Sequence, residues 1–165
     1  GIGSREKFRV RWYGDLYGEI DPMIEIKTKE SSVGTKSFFK IDKMHFNEST
    51  TSNIFREDLI ANLSGHNLVE KLYYLFPTLL NTYERKYYIS NDSRFRITID
   101  FNVKSNNLII SSSKHNYFSK VEKHHILELK YDQEHDLFLQ DISNNFPFRV
   151  NKFSKYVNGI NSLIS

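Results

Sequence analysis

The feature that most constrains the fold of this chain is an alternation of apolar and polar residues with a period of two. Successive side chains of a β-strand point to opposite faces of a sheet, so this period is typical of strands that are buried on one face only. The segments are short and rich in β-branched and aromatic residues, as strands are. We predict about seven strands, at Glu6–Tyr13, Met23–Lys29, Lys36–Asp42, Tyr83–Ile89, Phe95–Lys104, Leu108–Ser112 and His124–Tyr131.

Helical spacing of apolar residues occurs between the third and fourth predicted strands and again after the last one. Apolar side chains that recur every three or four residues share one face of a helix. Capping and helix-breaking residues set the expected ends. We predict helices from Ser52 or Asn53 to Ile60, over Asn67–Phe76 before Pro77, over Asp132–Ile142 and over Phe153–Leu163. Helices around a mainly antiparallel sheet define the α+β class.

Composition and charge place the chain among folded proteins. Of its 165 residues 39% are hydrophobic, and the net charge is only +3, whereas disordered chains combine low hydrophobicity with high net charge. We expect a single domain over residues 1–165. The chain has no cysteine, which excludes disulfides and thiolate metal sites. No run approaches the roughly 18 apolar residues of a membrane span, and no signal peptide is recognisable, so we expect a soluble, cytoplasmic chain.

The polar side of the predicted strands carries mostly arginine and lysine. Arg9 and Arg11 share one face of the first strand, while Val10 and Trp12 share the other. Because the net charge is nearly balanced, the positive charge is concentrated locally. The same parity recurs at Glu25, Lys27 and Lys29, at Tyr83, Arg85 and Tyr87, at Arg94, Arg96, Thr98 and Asp100, and at Glu128 and Lys130.

Two interpretations of this charged face remain open. It can be the solvent-exposed side of an ordinary half-buried sheet, or the sheet can close into a barrel with the cations inside. Two like charges about 5 Å apart repel by roughly 3 kcal/mol at an effective dielectric constant near 20. A closed interior therefore needs water, carboxylates or a polyanion, and arginine and lysine together are well suited to phosphate.

Five segments, taken in order, resemble a known family. They are Arg9–Gly14, Ile24–Lys29, Arg96–Asp100, Ile126–Lys130 and Lys152–Tyr156. Together they resemble the VTC domain, the catalytic module of vacuolar transporter chaperone proteins and bacterial polyphosphate polymerases, within the triphosphate tunnel metalloenzyme superfamily. The resemblance spans nearly the whole chain, and it follows the strand parity described above.

The resemblance implies an antiparallel β-barrel, the triphosphate tunnel, with helices packed outside. It also implies an ATP:polyphosphate phosphotransferase that moves the γ-phosphoryl group of ATP to a growing inorganic polyphosphate chain. A divalent cation, Mn²⁺ or Mg²⁺, is expected on Glu128. The matching positions and their neighbours on the strand faces give a catalytic set, Arg9, Arg11, Lys27, Arg85 and Arg96, and a substrate-binding set, Lys29, Lys36, Tyr83, Lys130, Lys152, Ser154 and Lys155.

The expected ligands are ATP and inorganic polyphosphate, with no membrane contact by this domain and with other domains or subunits left open as partners. A metal-dependent inorganic triphosphatase and a non-catalytic polyphosphate-binding domain use the same cations and stay open as alternatives. A nucleic-acid module is disfavoured, because such proteins spread cations over an exposed surface. Tyr73, Tyr74 and Phe76 could stack on bases, but beside Leu72 and Leu75 their spacing favours a helix core.

The family pattern includes a segment ahead of the strand at Arg9–Gly14, with a Glu-Arg-Lys strand and a Tyr-Phe-Asp strand, that this sequence does not contain. We therefore expect a tunnel domain that lacks its N-terminal strands. Gly1–Ser4 resembles either a hairpin tip or a cloning remnant. A tunnel without those strands has an open edge and fewer cations, so we expect the chain alone to bind weakly or to be inactive.

Overall fold

The structure is a computed structural model that describes residues 4–30, 33–63, 67–108, 120–135, 137, 142–147 and 149–164. The chain divides into two compact units. The first comprises Gly1–Thr78 with Leu108–Asn116, and the second comprises Leu79–Asn107 with Tyr117–Ser165. Both contain helices and antiparallel strands, which agrees with the predicted α+β class.

The first unit is built on a three-stranded antiparallel sheet in the order β1-β3-β4, and β2 pairs with β5 in a separate two-stranded sheet. Three of these strands correspond to the first three predicted ones. The third ends earlier than predicted, at Lys40 instead of Asp42. The elements are β1 (Ser4–Arg11), β2 (Gly18–Ile20), β3 (Met23–Glu30), β4 (Val33–Lys40), β5 (Met44–Phe46), α1 (Ser52–Asn62) and α2 (Leu68–Tyr73).

An aromatic cluster forms part of the core of the first unit. Trp12 was predicted to extend the first strand, but β1 ends at Arg11. The Trp12 ring packs instead against Phe46 and Phe55, with ring centroids 5.3 and 6.2 Å away. Its indole nitrogen donates a hydrogen bond to the carbonyl of Asp15 at 3.2 Å. The packing of this large, half-buried ring thus takes the place of continued strand pairing.

The two helices of the first unit differ from prediction at their ends. Thr51, one residue before the predicted caps, accepts a hydrogen bond from the backbone N–H of Ile54 and caps α1. Ser52 is buried, and its hydroxyl donates to the Pro77 carbonyl at 2.7 Å. The second helix ends at Tyr73 rather than Phe76. Residues 74–76 therefore lie beyond the end of α2.

The core position expected for the aromatic residues near the end of α2 is wrong. Tyr73 is 61% exposed, Tyr74 83% and Phe76 49%. The helix turns its buried side chains, Leu68 and Leu72, the other way. These aromatic rings consequently lie at the surface of the first unit.

The second unit is organised around the long strand β7. It pairs antiparallel with β6 along one edge and with both β8 and β9 along the other. The register shifts between Thr82 and Glu84 of β6, where Tyr83 alone lies opposite Asn102 and Val103 of β7. The bulge is therefore in β7, and its Asn102 has a left-handed φ of 52°. The elements are β6 (Leu79–Ile89), β7 (Phe95–Asn107), β8 (Lys120–Val121), β9 (Ile126–Tyr131), a 3₁₀ turn (Gln133–His135) and α3 (Lys155–Ile164).

A buried glycine allows α3 to approach the sheet of the second unit closely. A Cβ atom built on Gly159 would lie 2.7 Å from the Leu79 Cδ2 atom and 2.9 Å from the Ser105 hydroxyl oxygen. Real Cβ atoms do not come so near to other atoms, so only glycine permits this packing. This close packing places Lys155, the first residue of α3, within reach of Asp100 on β7.

Two predicted elements differ from the structure or lie partly outside its description. Leu108 lies in a turn rather than in a strand, and its backbone N–H donates to the Thr78 carbonyl at 3.1 Å; residues 109–112 lie outside the described part. Of the predicted helix over Asp132–Ile142, Gln133–His135 forms a 3₁₀ turn, while residues 136 and 138–141 lie outside the described part.

The strand pairings within the described ranges form sheets of three, two and four strands, and none of them closes a barrel. The helices in that same part of the chain are too short or too polar to cross a membrane.

Candidate functional site

One face of the β1-β3-β4 sheet gathers the cations of the first unit. Side chains alternate between the two faces of a sheet, and residues paired across neighbouring strands share a face. The register therefore places the odd-numbered residues of β1 and β3 and the even-numbered residues of β4 on one face, which we call the cation face. The apolar residues Phe8, Val10, Ile24 and Ile26 lie on the other face. The cation face carries four cations from β1, two from β3 and two from β4, namely Arg5, Lys7, Arg9, Arg11, Lys27, Lys29, Lys36 and Lys40.

A single carboxylate, Glu25 of β3, lies in the middle of these strands on the cation face. Only 1% of the residue is exposed. The Glu25 Oε2 atom is 3.5 Å from Arg11 Nη1 and 3.6 Å from Lys36 Nζ, and Oε1 is 3.7 Å from Lys27 Nζ. Three cations that were predicted to bind phosphate therefore surround one buried anion.

Aromatic rings border this group. Phe38, opposite Glu25 in β4, has the Lys36 ammonium 4.7 Å and the Arg11 guanidinium 5.7 Å from its ring centroid. The Arg11 guanidinium also lies 5.5 Å from the Tyr13 ring. Cation–π attraction of this kind favours a fixed position for a guanidinium that is partly dehydrated. Arg11 is thus held from three sides.

The electrostatics of Lys7 reflect the crowding of positive charge. Partial burial and the neighbouring Arg9, Lys27 and Arg5 lower the pKa of Lys7, and Glu25 opposes that change. Nearby cations destabilise the charged ammonium form. The same positive potential favours binding of an anion over this face.

The second unit has its own buried carboxylate, Asp100 of β7, which is 1% exposed. Arg85 binds it through two parallel hydrogen bonds, Nε to Oδ1 at 2.5 Å and Nη2 to Oδ2 at 2.8 Å. Lys155 of α3 forms an ion pair with the same carboxylate. Burial alone would raise the pKa of Asp100, but the hydrogen bonds from Arg85 and Lys155 outweigh it and lower the pKa. The hydrogen bond with Asp100 in turn raises the pKa of Arg85.

Two tyrosines border Arg85. Its guanidinium lies 5.1 Å from the Tyr83 ring and 5.8 Å from the Tyr87 ring, and the Lys155 ammonium lies 4.8 Å from the Tyr83 ring. Tyr83 lies two residues before Arg85 on β6, opposite the bulge of β7. Alternate residues of a strand share a face, which places the Tyr83 ring beside Arg85.

Glu128, the predicted metal ligand, lies on β9 opposite Thr98 of β7, and Lys130 lies opposite Arg96. The Lys130 ammonium is 3.4 Å from the Glu128 carboxylate, and both side chains are about half exposed, at 46% and 49%. Thr98 is buried, and its hydroxyl has no hydrogen-bond partner in the described part of the chain.

No group of three or more His, Asp or Glu side chains that could hold a metal occurs in the described ranges. One half-exposed carboxylate beside a buried hydroxyl nevertheless fits Mg²⁺ or Mn²⁺ with most of its ligands from water and phosphate, since Mg²⁺ usually keeps several waters and one or two carboxylates. Glu128 and Thr98 are the residues that would hold it.

The structure groups the predicted residues by unit. Lys152 is exposed and precedes α3, whereas Ser154 accepts a hydrogen bond from the Val157 backbone at 3.4 Å, beside Lys155. The first unit brings together Arg9, Arg11, Lys27, Lys29 and Lys36 on its cation face. The second brings together Tyr83, Arg85, Arg96, Glu128, Lys130, Ser154 and Lys155 around β7 and the start of α3.

The sequence interpretation assigned no role to several residues of these groups. Arg5, Lys7 and Lys40 continue the parity of the cation face, so the strand period alone could have found them. The contact of Asp100 with Lys155 has no local sequence signal, because it depends on where α3 packs. The burial of Glu25 and Asp100 also appears only in the folded structure.

The fold and these side chains define an α+β protein of antiparallel sheets that collect arginine and lysine around buried carboxylates. The sequence model of the VTC domain family matches residues 1–164, and the chain belongs to that family. No curated protein and no solved structure matches the chain. Family membership associates the chain with polyphosphate-related function.

Proposed function

We propose that this VTC domain transfers the γ-phosphoryl group of ATP to the end of an inorganic polyphosphate chain and releases ADP. The observation that carries the proposal is the gathering of arginine and lysine side chains on one face of the β1-β3-β4 sheet, within a chain of the VTC family. The proposal includes the closed antiparallel tunnel that the family resemblance implies, lined by the charged strand faces, and a cytoplasmic location.

The chemistry requires little beyond positioning and charge neutralisation. Phosphoryl transfer passes through a transition state whose charge is spread over the equatorial oxygens, with attacking and leaving oxygens roughly in line. Arginine forks can bind two phosphate oxygens at once, and lysines add point charge. In the proposal Arg9, Arg11 and Lys27 hold the reacting phosphates, while Lys29 and Lys36 bind the adjoining chain.

The second unit contributes a similar set of groups to the proposal. Arg85 and Arg96 neutralise phosphate oxygens, and Lys130, Lys152 and Lys155 bind further phosphates. Tyr83 keeps the guanidinium of Arg85 in place through its ring, 5.1 Å away. The Ser154 hydroxyl offers an additional hydrogen bond to phosphate at the start of α3.

Glu128 is the proposed ligand of Mn²⁺ or Mg²⁺, with the Thr98 hydroxyl beside it. The bound ion would supply charge neutralisation to phosphate oxygens in the transition state. Lys130 lies 3.4 Å from the Glu128 carboxylate, so a bound ion would take the place of its ammonium there.

The product of the reaction tests the proposal. The domain, within its full-length parent protein, is incubated with ATP and Mn²⁺, and the products are separated by gel electrophoresis alongside a phosphate-release assay. Long polyphosphate is the expected product, and orthophosphate alone would favour the triphosphatase instead. Binding of tripolyphosphate without any turnover, unchanged in Glu128→Gln, would favour the non-catalytic polyphosphate-binding domain.

A matched pair of lysine variants shows whether the cation face carries the activity. Lys27→Ala removes a half-exposed cation of this face, and we expect it to reduce both polymer synthesis and tripolyphosphate affinity by roughly tenfold, as loss of one charge-assisted contact does. Lys43→Ala removes an exposed lysine that lies outside the three strands of this face and pairs with Glu19, and it should retain both. Equal effects of the two variants would contradict the assignment of the face.

A further inference from the structure

Glu25 is the least exposed residue of the cation face, and the proposed transfer reaction assigns it no step. It is surrounded by Arg11, Lys27 and Lys36 at 3.5 to 3.7 Å, and its side chain is 2% exposed. Burial of a carboxylate is costly unless it is compensated by opposite charge. The sheet therefore keeps an anion in the position where its cations converge.

The contacts of Glu25 are ion pairs rather than short hydrogen bonds. Its Oε2 atom is buried and has no hydrogen-bond partner within the described residues, although two cations lie within 3.6 Å of it. Asp100 in the second unit is different, because Arg85 donates two short hydrogen bonds to it. The N–H groups around Glu25 are consequently left free of strong bonds to the carboxylate and can donate to another acceptor.

Charge balance on the cation face gives Glu25 a second property. It is the only carboxylate on that face among the described residues of β1, β3 and β4. Without it, the lysines and arginines would repel one another. The pKa of Lys7 reflects this repulsion: burial lowers it most, Arg9, Lys27 and Arg5 lower it further, and Glu25 opposes the change. The negative charge of Glu25 reduces the repulsion among these cations when no phosphate is bound.

We propose that Glu25 is a positioning residue that acts as an internal counter-ion. It holds Arg11, Lys27 and Lys36 in place while no phosphate is bound, and the phosphate chain then takes over the neutralisation of these cations. The inference rests on the proposed function for the identity of that anion. If it holds, loss of the Glu25 charge makes the folded state depend on phosphate.

Thermal unfolding with and without tripolyphosphate tests this role at low ionic strength. Glu25→Gln should unfold at a temperature lower by roughly 3 °C or more in the absence of phosphate. Tripolyphosphate should then raise its unfolding temperature by more than it raises that of the unmodified chain, and its affinity should be tighter by roughly tenfold, because a nearby negative charge has been removed. If the role of Glu25 is purely structural, Glu25→Gln should lower the unfolding temperature, and tripolyphosphate should raise it no more than it does in the unmodified chain.

Glu30→Gln is the matched control, since Glu30 lies in the same strand on the opposite face and is exposed. It removes the same charge and should leave both measurements near those of the unmodified chain. Glu25→Asp keeps the charge and should retain most of the phosphate-free stability. If Glu25→Gln fails to fold, recovery by refolding in tripolyphosphate but not in sulfate of equal charge supports the role, and recovery in neither overturns it.

The outcomes separate this inference from the proposed function. If tripolyphosphate does not stabilise even the unmodified chain, the phosphate-binding function itself fails. If it stabilises the unmodified chain, but Glu25→Gln and Glu30→Gln respond alike, only the counter-ion role of Glu25 is overturned.

Discussion

At the scale of single residues, the buried carboxylates are the most sensitive points of this chain. Glu25 and Asp100 are each 1% exposed, and each is surrounded by cations of its own unit. An ion pair in such a place contributes little net stability compared with an apolar substitute, yet removal of one partner leaves the others buried and uncompensated. Single substitutions here should therefore have large effects.

We expect Asp100→Asn to lower the free energy of unfolding by about 3 kcal/mol, because Arg85 and Lys155 would keep their charges in a partly buried place without an anion. Urea denaturation followed by circular dichroism measures this loss. Asp92→Asn is the control, since Asp92 pairs with Arg94 in the exposed hairpin turn, and it should cost much less. Equal losses in both variants would show that Asp100 contributes no more than a surface ion pair.

Acid should weaken the Asp100 ion pair in a defined pH range. Its folded-state pKa is lowered, whereas an unfolded aspartate has a pKa of about 3.9. The contribution of the pair is therefore complete above about pH 4 and is lost as the pH falls through the lower folded-state pKa. The difference in unfolding free energy between the unmodified chain and Asp100→Asn should be constant from pH 7 to about pH 5 and shrink below pH 4. If the difference in unfolding free energy between the two proteins instead grows on acidification, the pKa of Asp100 is not lowered in the folded state.

At the scale of elements, strand parity could be predicted from the sequence because it depends only on the alternation of neighbouring residues. The register confirms it: Arg9 and Arg11 share a face with Lys27, and Arg96, Thr98 and Asp100 share a face with Glu128. β3 buries Ile24 and Ile26 on the face opposite Lys27, and a slip by one residue would move these apolar side chains to the cation face. The period of two was therefore enough to predict which of these cations share a strand face in each unit.

Helix ends and irregular strands could not be predicted in the same way. Thr51 caps α1, while Ser52, a predicted cap, is buried and donates its hydroxyl to the distant Pro77 carbonyl instead. The bulge opposite Tyr83 lies in β7, where Asn102 adopts a φ of 52°. Such features are decided by contacts between residues distant in sequence, which no local pattern encodes.

The approach of α3 to the sheet gives a prediction at this scale. Gly159→Ala normally adds about 1 kcal/mol of helix propensity, but its Cβ would meet Leu79 and Ser105 at 2.7 and 2.9 Å. Ser105 donates a hydrogen bond to Asn81 at 2.7 Å and cannot move without losing it. We expect a net loss of about 1 to 2 kcal/mol in unfolding free energy, since overpacking usually costs more than propensity gains.

Asn161→Ala, at an exposed position of the same helix, is the control for Gly159→Ala and should be neutral or slightly stabilising. Because Lys155 begins α3, displacement of the helix should also reduce tripolyphosphate affinity in Gly159→Ala alone. Stabilisation by Gly159→Ala would show that the helix can move away without cost.

At the scale of the whole molecule, the net charge of +3 gives little indication of how the chain interacts with anions. A nearly balanced total hides a face that carries cations from three adjacent strands with one buried carboxylate. Affinity for a polyanion is then governed by local geometry and not by the average charge. The cation face should therefore bind a compact phosphate chain more tightly than a polyanion of the same charge whose charges lie farther apart.

Competition between tripolyphosphate and duplex DNA tests this distinction. Duplex DNA carries one charge per roughly 1.7 Å of its axis on a rigid, wide cylinder, whereas tripolyphosphate is small enough to reach Arg11, Lys27 and Lys36 together around Glu25. With a fluorescent polyphosphate bound to the chain, unlabelled tripolyphosphate should displace it at a charge concentration at which DNA of equal charge does not. Lys27→Ala should weaken displacement by tripolyphosphate, while Lys43→Ala should not. Equal displacement by DNA would mean that the cation face is an ordinary exposed basic surface, and the phosphate-chain assignment would lose its basis.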